Sequence, residues 1–131
     1  MGYSADSERI TLSPIARRRE AYQQALQETL SHLVTLLSAD PTVERLILFG
    51  SYARGRADLL TDLDLVVIQK SELDFLARMV ELYRQIGPLP VDADILVYTP
   101  EEWTIVRDKP FGRRIVQEGK VLYEKIGNYL P

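Results

Sequence analysis

Two short apolar runs joined by a short connection constrain the fold of this chain more than any other feature. The runs are residues 43–49 (VERLILF) and 63–68 (LDLVVI), and each is typical of a buried β-strand. Only eleven residues, 51–61, lie between Gly50 and Asp62. A parallel crossover needs about a dozen residues or more. We therefore predict that the two strands are antiparallel, which brings Gly50 beside Asp62.

A helix and a third strand follow these two runs. Ser71 stands three residues before Asp74, a capping-box pattern, and the apolar periodicity that follows predicts a helix up to residue 87. Residues 91–98 (VDADILVY) then predict a strand. A strand–helix–strand order favours parallel pairing through a right-handed crossover. The end of the first strand and the starts of the next two are therefore expected at one edge of a mixed sheet.

The remaining segments predict helices around this sheet. A long N-terminal helix is expected with Ser13 as its N-cap and Pro14 at its first position. A second capping box begins at Thr99, and an edge strand is expected near residues 121–123. The predicted fold class is α/β (α+β), with helices packed on a small mixed sheet. The predicted single domain spans residues 1–131, with a loose terminus (1–12), an N-terminal helix (13–40) and a core (43–123).

Composition excludes several kinds of site and partner. The chain has no cysteine and one histidine, which excludes disulfides, thiolate catalysis and zinc sites of the Cys or His-cluster type. Its net charge of −3 disfavours nucleic acid as a partner, because that attraction comes from clustered Lys and Arg. No signal-type or membrane-spanning apolar run is present. We expect a cytoplasmic protein without a membrane partner.

Several carboxylates fall at the predicted edge of the sheet. Asp62 and Asp64 are two residues apart at a strand start, so both face the same side. Such oxygen ligands suit Mg²⁺, which one or two carboxylates and substrate phosphates usually hold. A third carboxylate on the next strand would complete a site for two ions. Asp94 is preferred because it lies deeper in its strand, and Asp92 remains the alternative.

A loop with phosphate-binding character precedes the carboxylates. Gly50 permits a close approach of the backbone to a phosphate, and Ser51 offers an amide and a hydroxyl. Arg54 and Arg56 follow as permanently charged, forked donors that suit the β- and γ-phosphates. The pattern predicts a triphosphate site beside a metal site.

These motifs resemble those of a known family. Residues 50–55 (GSYARG) and 61–67 (TDLDLVV) resemble the signature of the DNA polymerase β-type nucleotidyltransferase superfamily. Residues 90–102 (PVDADILVYTPEE) are similar to its small MNT-type members, the minimal nucleotidyltransferases. The resemblance covers about residues 43–123, and Thr61 stands where serine is more usual, which keeps the hydroxyl.

The resemblance implies a polymerase β-like fold and a site of three acidic residues. By motif position Asp62, Asp64 and Asp94 hold Mg²⁺, as one ion or two, while Gly50 and Ser51 bind the triphosphate. MNT-type proteins often pair with HEPN-type toxins and transfer AMP from ATP to a toxin tyrosine. The resemblance thus implies a Mg-dependent adenylyltransferase whose acceptor is a hydroxyl of a HEPN-type partner protein.

Two other functions remain open at this stage. A catalytically silent antitoxin would neutralise a toxin by binding alone, and other relatives modify small molecules such as aminoglycosides. The sequence names neither the base nor the acceptor, and it leaves homo- and hetero-oligomers open. It also gives no role to Arg17–Arg19 at the start of the first helix or to His32.

Overall fold

The computed structural model describes residues 13–126, which form one mixed sheet with helices on both faces. The expected loose terminus over residues 1–12 lies outside this range. None of the helices within it combines the length and apolar character needed to cross a bilayer. The elements, in chain order, are α1 (Pro14–Ser38), β1 (Val43–Phe49), α2 (Gly50–Ala53), β2 (Leu63–Gln69), α3 (Phe75–Ile86), β3 (Ala93–Tyr98), α4 (Pro100–Val106), α5 (Pro110–Glu118) and β4 (Lys120–Glu124).

The strand directions confirm the predicted topology. The sheet order is β3-β2-β1-β4, in which β1 is antiparallel to β2 and β4, and β2 is parallel to β3. In this register Phe49 lies opposite Asp64, and Asp64 lies opposite Asp94. The end of β1 and the starts of β2 and β3 therefore meet at one edge, here called the site edge and defined by Phe49, Asp64 and Asp94.

Alternation along the strands divides the core into two layers. On one face, Leu65 and Val67 of β2 pack in a cluster with buried leucines of α1 and with Leu82 of α3. On the other face, Val66 belongs to a second cluster with Trp103 of α4 and Ile115 of α5. Because side chains alternate along a strand, Asp64 shares the face of Val66. The site edge thus opens on the side that α4 and α5 cover.

The structure confirms two of the three predicted helix caps, at Ser13 and Thr99. The Ser13 hydroxyl accepts a hydrogen bond from the Ala16 amide, and the Thr99 capping box forms as predicted. The box at Ser71 was a wrong prediction, because Asp74 itself is the N-cap of α3 and its Oδ1 accepts from the Ala77 amide at 2.9 Å. The Ser71 hydroxyl instead accepts from the Leu73 amide two residues on, which is a local turn.

Candidate active site

The loop after β1 folds tightly against the first strand of carboxylates. Gly50 has a φ of 77°, in the left-handed region, and the chain turns there from β1 directly into α2. A Cβ built at Gly50 would overlap Oδ2 of Asp64 and lie 2.9 Å from its Cγ. The Arg56 amide donates to the Ser51 carbonyl at 2.9 Å and closes the loop. The predicted phosphate loop and the predicted metal ligand therefore touch.

The segment ahead of Asp62 is held by a small polar network. Thr61 is fully buried, and its hydroxyl donates to Asp58 Oδ1 at 3.2 Å and accepts from the Asp58 amide at 3.0 Å. The Tyr22 hydroxyl of α1 donates to the Thr61 carbonyl at 2.8 Å. The Arg56 side chain hydrogen-bonds Asp58 and, with the Leu60 amide, lowers the pKa of Asp58 to about 2. These bonds fix the backbone that presents Asp62.

Two of the predicted carboxylates act on a third, Asp64, at the site edge. Burial raises the pKa of Asp64, and the negative charges of Asp94 and Asp62 raise it further, whereas Arg54 opposes the shift. A hard cation suits these oxygen donors and would relieve their repulsion. Within residues 13–126, the side chains as they stand form no set of three acidic or histidine groups around one point. Two carboxylates plus phosphate oxygens would be enough for Mg²⁺.

Asp92 and Asp94 differ in their surroundings, although both are exposed. Asp94 pairs with Asp64 in the β2–β3 register and lines the same cleft. The Asp92 carbonyl accepts from the Leu63 amide at 2.9 Å. Burial raises the pKa of Tyr22, whereas Asp92 acts on that pKa in two opposite ways, since its backbone lowers it and its negative charge raises it. The structure thus brings Asp94 to Asp64, and Asp92 near Tyr22 of α1.

Two adjoining clefts flank an aromatic pair at the site edge. Phe49 and Phe111 meet edge to face, with ring centroids 5.9 Å apart, and both line each cleft. The carboxylate cleft, of about 330 Å³, contains Asp64 and Asp94, and the arginine cleft, of about 160 Å³, contains Gly50. The remaining lining residues are Met79, Tyr83, Ile95 and Leu96 in the carboxylate cleft, and Arg54, Arg114, Ile115 and Glu118 in the arginine cleft.

The two predicted phosphate-binding arginines take different positions. Arg54 lines the arginine cleft, and its Nη1 lies 3.4 Å from Oε2 of Glu118 in an exposed ion pair. Exposed pairs of this kind contribute little free energy, so a phosphate can replace the carboxylate. Arg56 instead pairs with Asp58, with Nε 2.7 Å from Oδ2. Of these two arginines, Arg54 is therefore the one that can bind a phosphate in the cleft without breaking a bond that supports the loop.

Sequence reasoning missed several residues that line the two clefts. Phe111 and Arg114 lie on α5, while Met79 and Tyr83 lie on α3. The periodicity of residues 110–118 predicts the helix, but it does not say which face of the sheet that helix covers. Pro110 indicates in the sequence where α5 begins, but it does not indicate which side chains of α5 reach the clefts.

Comparison with known proteins identifies the family of this chain. The model of the family described as "Polymerase beta, Nucleotidyltransferase" matches residues 31–126. The chain belongs to this family. It is a nucleotidyltransferase, and its mixed sheet with a long N-terminal helix is the polymerase β-like nucleotidyltransferase fold. The match contains β1, the glycine loop, β2 and β3, and so covers the whole site edge.

Three relatives illustrate the range of similarity to this nucleotidyltransferase. A Methanocaldococcus jannaschii protein provisionally named a protein adenylyltransferase is 27% identical over 85 residues, covering 62% of this chain and 79% of the relative. The crystal structure of a Sulfolobus solfataricus protein, provisionally named a nucleotidyltransferase, aligns with a TM-score of 0.51 and 19% identity over 86% of this chain and 89% of that chain. One chain in the solved structure of a tri-AMPylated Shewanella oneidensis HEPN toxin in complex with MNT antitoxin aligns with a TM-score of 0.49 and 22% identity, over 78% of this chain and 75% of that chain.

Proposed function

We propose that this nucleotidyltransferase transfers AMP from ATP, in a Mg²⁺-dependent reaction, to a hydroxyl of a partner protein, as the antitoxin of a HEPN-type toxin. The observation that carries the proposal is the contact between Gly50 and Asp64, which joins the arginine cleft to the carboxylate cleft. The provisional name of the Methanocaldococcus jannaschii relative supports AMP as the transferred group and a protein as the acceptor. The MNT-type motif at residues 90–102 supports the HEPN-type partner.

The donor nucleotide would be bound from the glycine loop. Gly50 and Ser51 supply backbone amides to the triphosphate, and Arg54 exchanges its exposed partner Glu118 for a phosphate oxygen. Asp62, Asp64 and Asp94 would hold Mg²⁺, with phosphate oxygens completing the ligand set. When bound, the ion supplies charge neutralisation at the phosphates. Catalysis is then positioning and charge stabilisation.

The acceptor hydroxyl would approach from the carboxylate cleft. Its oxygen attacks the α-phosphorus of ATP, a new phosphorus–oxygen bond forms, and the bond to the bridging oxygen of pyrophosphate breaks. Asp94, exposed in that cleft, is the group suited to accept the proton of the hydroxyl. Arg54 stabilises the charge that develops on the leaving pyrophosphate. Both residues would then act from opposite sides of the Phe49–Phe111 pair.

The experiment that tests this proposal measures ATP binding and AMP transfer together. Calorimetry with and without Mg²⁺ reports binding, and α-labelled ATP added to a lysate of the source cell reports transfer to a protein. We expect Mg²⁺-dependent binding, a labelled protein band, and loss of that label in the Asp62→Asn/Asp64→Asn variant. Asp108→Asn, at an exposed position after α4, is the matched control and should behave as the wild type.

Three other outcomes would contradict the proposal in different ways. Transfer retained by the double Asn variant would refute the assignment of the carboxylates. Full neutralisation of a partner by that variant would favour a silent antitoxin. A labelled small molecule, such as an aminoglycoside, in place of a protein would identify a small-molecule modifier.

A further inference from the structure

An apolar stripe is exposed on the outer side of α3. The stripe consists of Leu76, Val80 and Tyr83, which recur at helical spacing. The exposed fraction is 72% for Leu76 and 60% for Val80. A neighbouring side of α3 is buried against the core through Leu82 and Ile86. The stripe extends the apolar surface of α3 beyond the part that the core covers, and exposed apolar patches of this kind mark interaction sites. We call Leu76, Val80 and Tyr83, with Leu73 just ahead of the helix, the α3 stripe.

The α3 stripe is continuous with the carboxylate cleft. Tyr83 belongs to the stripe and also lines the cleft, next to Met79. The Tyr83 hydroxyl accepts a hydrogen bond from the Ile95 amide at 2.8 Å, and the Val97 amide donates to Met79 Sδ at 3.3 Å. These bonds hold α3 against the outer edge of β3, the strand that carries Asp94. A molecule bound on the stripe would therefore lie at the entrance to Asp94.

The charge around the α3 stripe is negative. Glu72 and Asp74 are exposed at one end of the stripe, and Asp92 and Asp94 are exposed at the cleft. The basic residues of α3 do not offset these charges, because each is paired with a carboxylate. Arg84 binds Glu81 at 2.7 Å, and the buried Arg78 binds Glu102. An occupant that complements this surface has an apolar patch bordered by Lys or Arg.

We propose that the α3 stripe is the docking surface for the acceptor protein, which presents an apolar patch with a basic border and delivers its hydroxyl to Asp94. This inference rests on the proposed function, since it names the surface that brings the acceptor to the same site. Continuity with the carboxylate cleft favours the acceptor over any other occupant, because only a substrate has to reach Asp94. The negative charge around the stripe disfavours nucleic acid as the occupant, because its phosphate backbone is also negative.

The test compares two double variants of exposed apolar residues. The stripe variant is Leu76→Gln/Val80→Gln. The control variant is Ile105→Gln/Val121→Gln, which alters similarly exposed apolar residues, Ile105 on α4 and Val121 on β4 at the opposite edge of the sheet. The acceptor probe is the protein that the wild type labels from α-labelled ATP, purified. We expect the KM for this acceptor to rise about tenfold or more in the stripe variant. The kcat at saturating acceptor and the Kd for ATP should stay within about twofold, as should every value for the control variant.

The outcomes separate this inference from the proposed function. An unchanged KM in the stripe variant, with a protein still labelled, overturns the docking surface alone. Absence of any labelled protein with the wild type overturns the proposed function and this inference with it. A wild type that sediments as a dimer, and a stripe variant that is monomeric with an unchanged KM, would assign the stripe to a second copy of the chain.

Discussion

Gly50 and Asp64 approach so closely that no side chain fits between them: a Cβ on Gly50 would overlap the Asp64 carboxylate and lie 2.9 Å from its Cγ. The φ of 77° at Gly50 adds a second reason for glycine. One contact therefore links the glycine loop to the strand of carboxylates. Under the proposed function, this contact sets the position of the nucleotide relative to the metal ligands.

Gly50→Ala should impair both stability and transfer. Left-handed backbone costs alanine about 1–2 kcal/mol, and the new Cβ must also displace Asp64. Gly87→Ala is the control for backbone strain alone, because Gly87 has φ 71° and ψ −169°, a conformation that other residues rarely adopt, and no atom within 4 Å of its Cβ position. We expect Gly87→Ala to lose stability and to keep the wild-type rate of transfer, and Gly50→Ala to lose stability and to transfer AMP about 100-fold more slowly. Urea unfolding and initial rates measure both, and equal effects at the two positions would refute the steric account.

Asp64→Asn should stabilise the metal-free protein at neutral pH. Burial and the charges of Asp94 and Asp62 raise the pKa of Asp64 in the folded state, so ionisation there opposes folding. The penalty is absent below the ordinary pKa of about 3.9 and grows as the pH rises through the raised folded pKa. We expect a small gain in unfolding free energy at pH 7, limited because the carboxylate is partly exposed, and none at pH 3. Urea unfolding in EDTA measures it, and a loss of stability at pH 7 would contradict the repulsion.

Thr61→Val and Thr61→Ser should separate the contribution of the Thr61 hydroxyl to stability from that of its methyl group. The buried hydroxyl bonds both the amide and the carboxylate of Asp58, so valine leaves a partly buried N–H without a partner. We expect Thr61→Val to lose about 1–3 kcal/mol of stability and to bind ATP–Mg²⁺ more weakly, because Asp62 follows directly. Thr61→Ser keeps both bonds and should lose about 1 kcal/mol or less. Similar losses in both variants would mean that packing, and not the hydroxyl, supports the loop.

Arg54 and Arg56 should differ in their effect on nucleotide affinity. Arg54 lies in the arginine cleft with an exposed partner, whereas Arg56 is bound to Asp58. We expect Arg54→Gln to weaken ATP binding about tenfold, and Arg56→Gln to weaken it less than about threefold. Calorimetry on both variants decides the assignment. A larger loss with Arg56→Gln would move the phosphate contact to that residue.

Local patterns predicted the site edge because short-range rules determine it. The eleven-residue limit between Gly50 and Asp62 forced the antiparallel pair, and the helix between β2 and β3 favoured the parallel one. These two relations alone bring Gly50, Asp64 and Asp94 together. The family motifs then indicated the chemistry that such an arrangement performs.

Longer-range features could not be predicted from the same patterns. The apolar repeat of α3 predicts a helix, yet Leu76 and Val80 are exposed, whereas the charged Arg78 is buried and bound to Glu102. Periodicity gives the faces of a helix but not the face that meets the sheet. In the same way, the contact of Phe111 with Phe49 depends on where α5 returns along β1.

The destination of each phosphate of ATP distinguishes AMP transfer to a protein from other reactions of the nucleotide. The purified enzyme, Mg²⁺ and the acceptor protein are incubated in parallel with α-labelled and γ-labelled ATP, and protein and released phosphates are then separated. We expect the α-label on the acceptor protein and the γ-label only in pyrophosphate. The γ-label on the protein, or no label on any protein from either ATP, would contradict the proposed function.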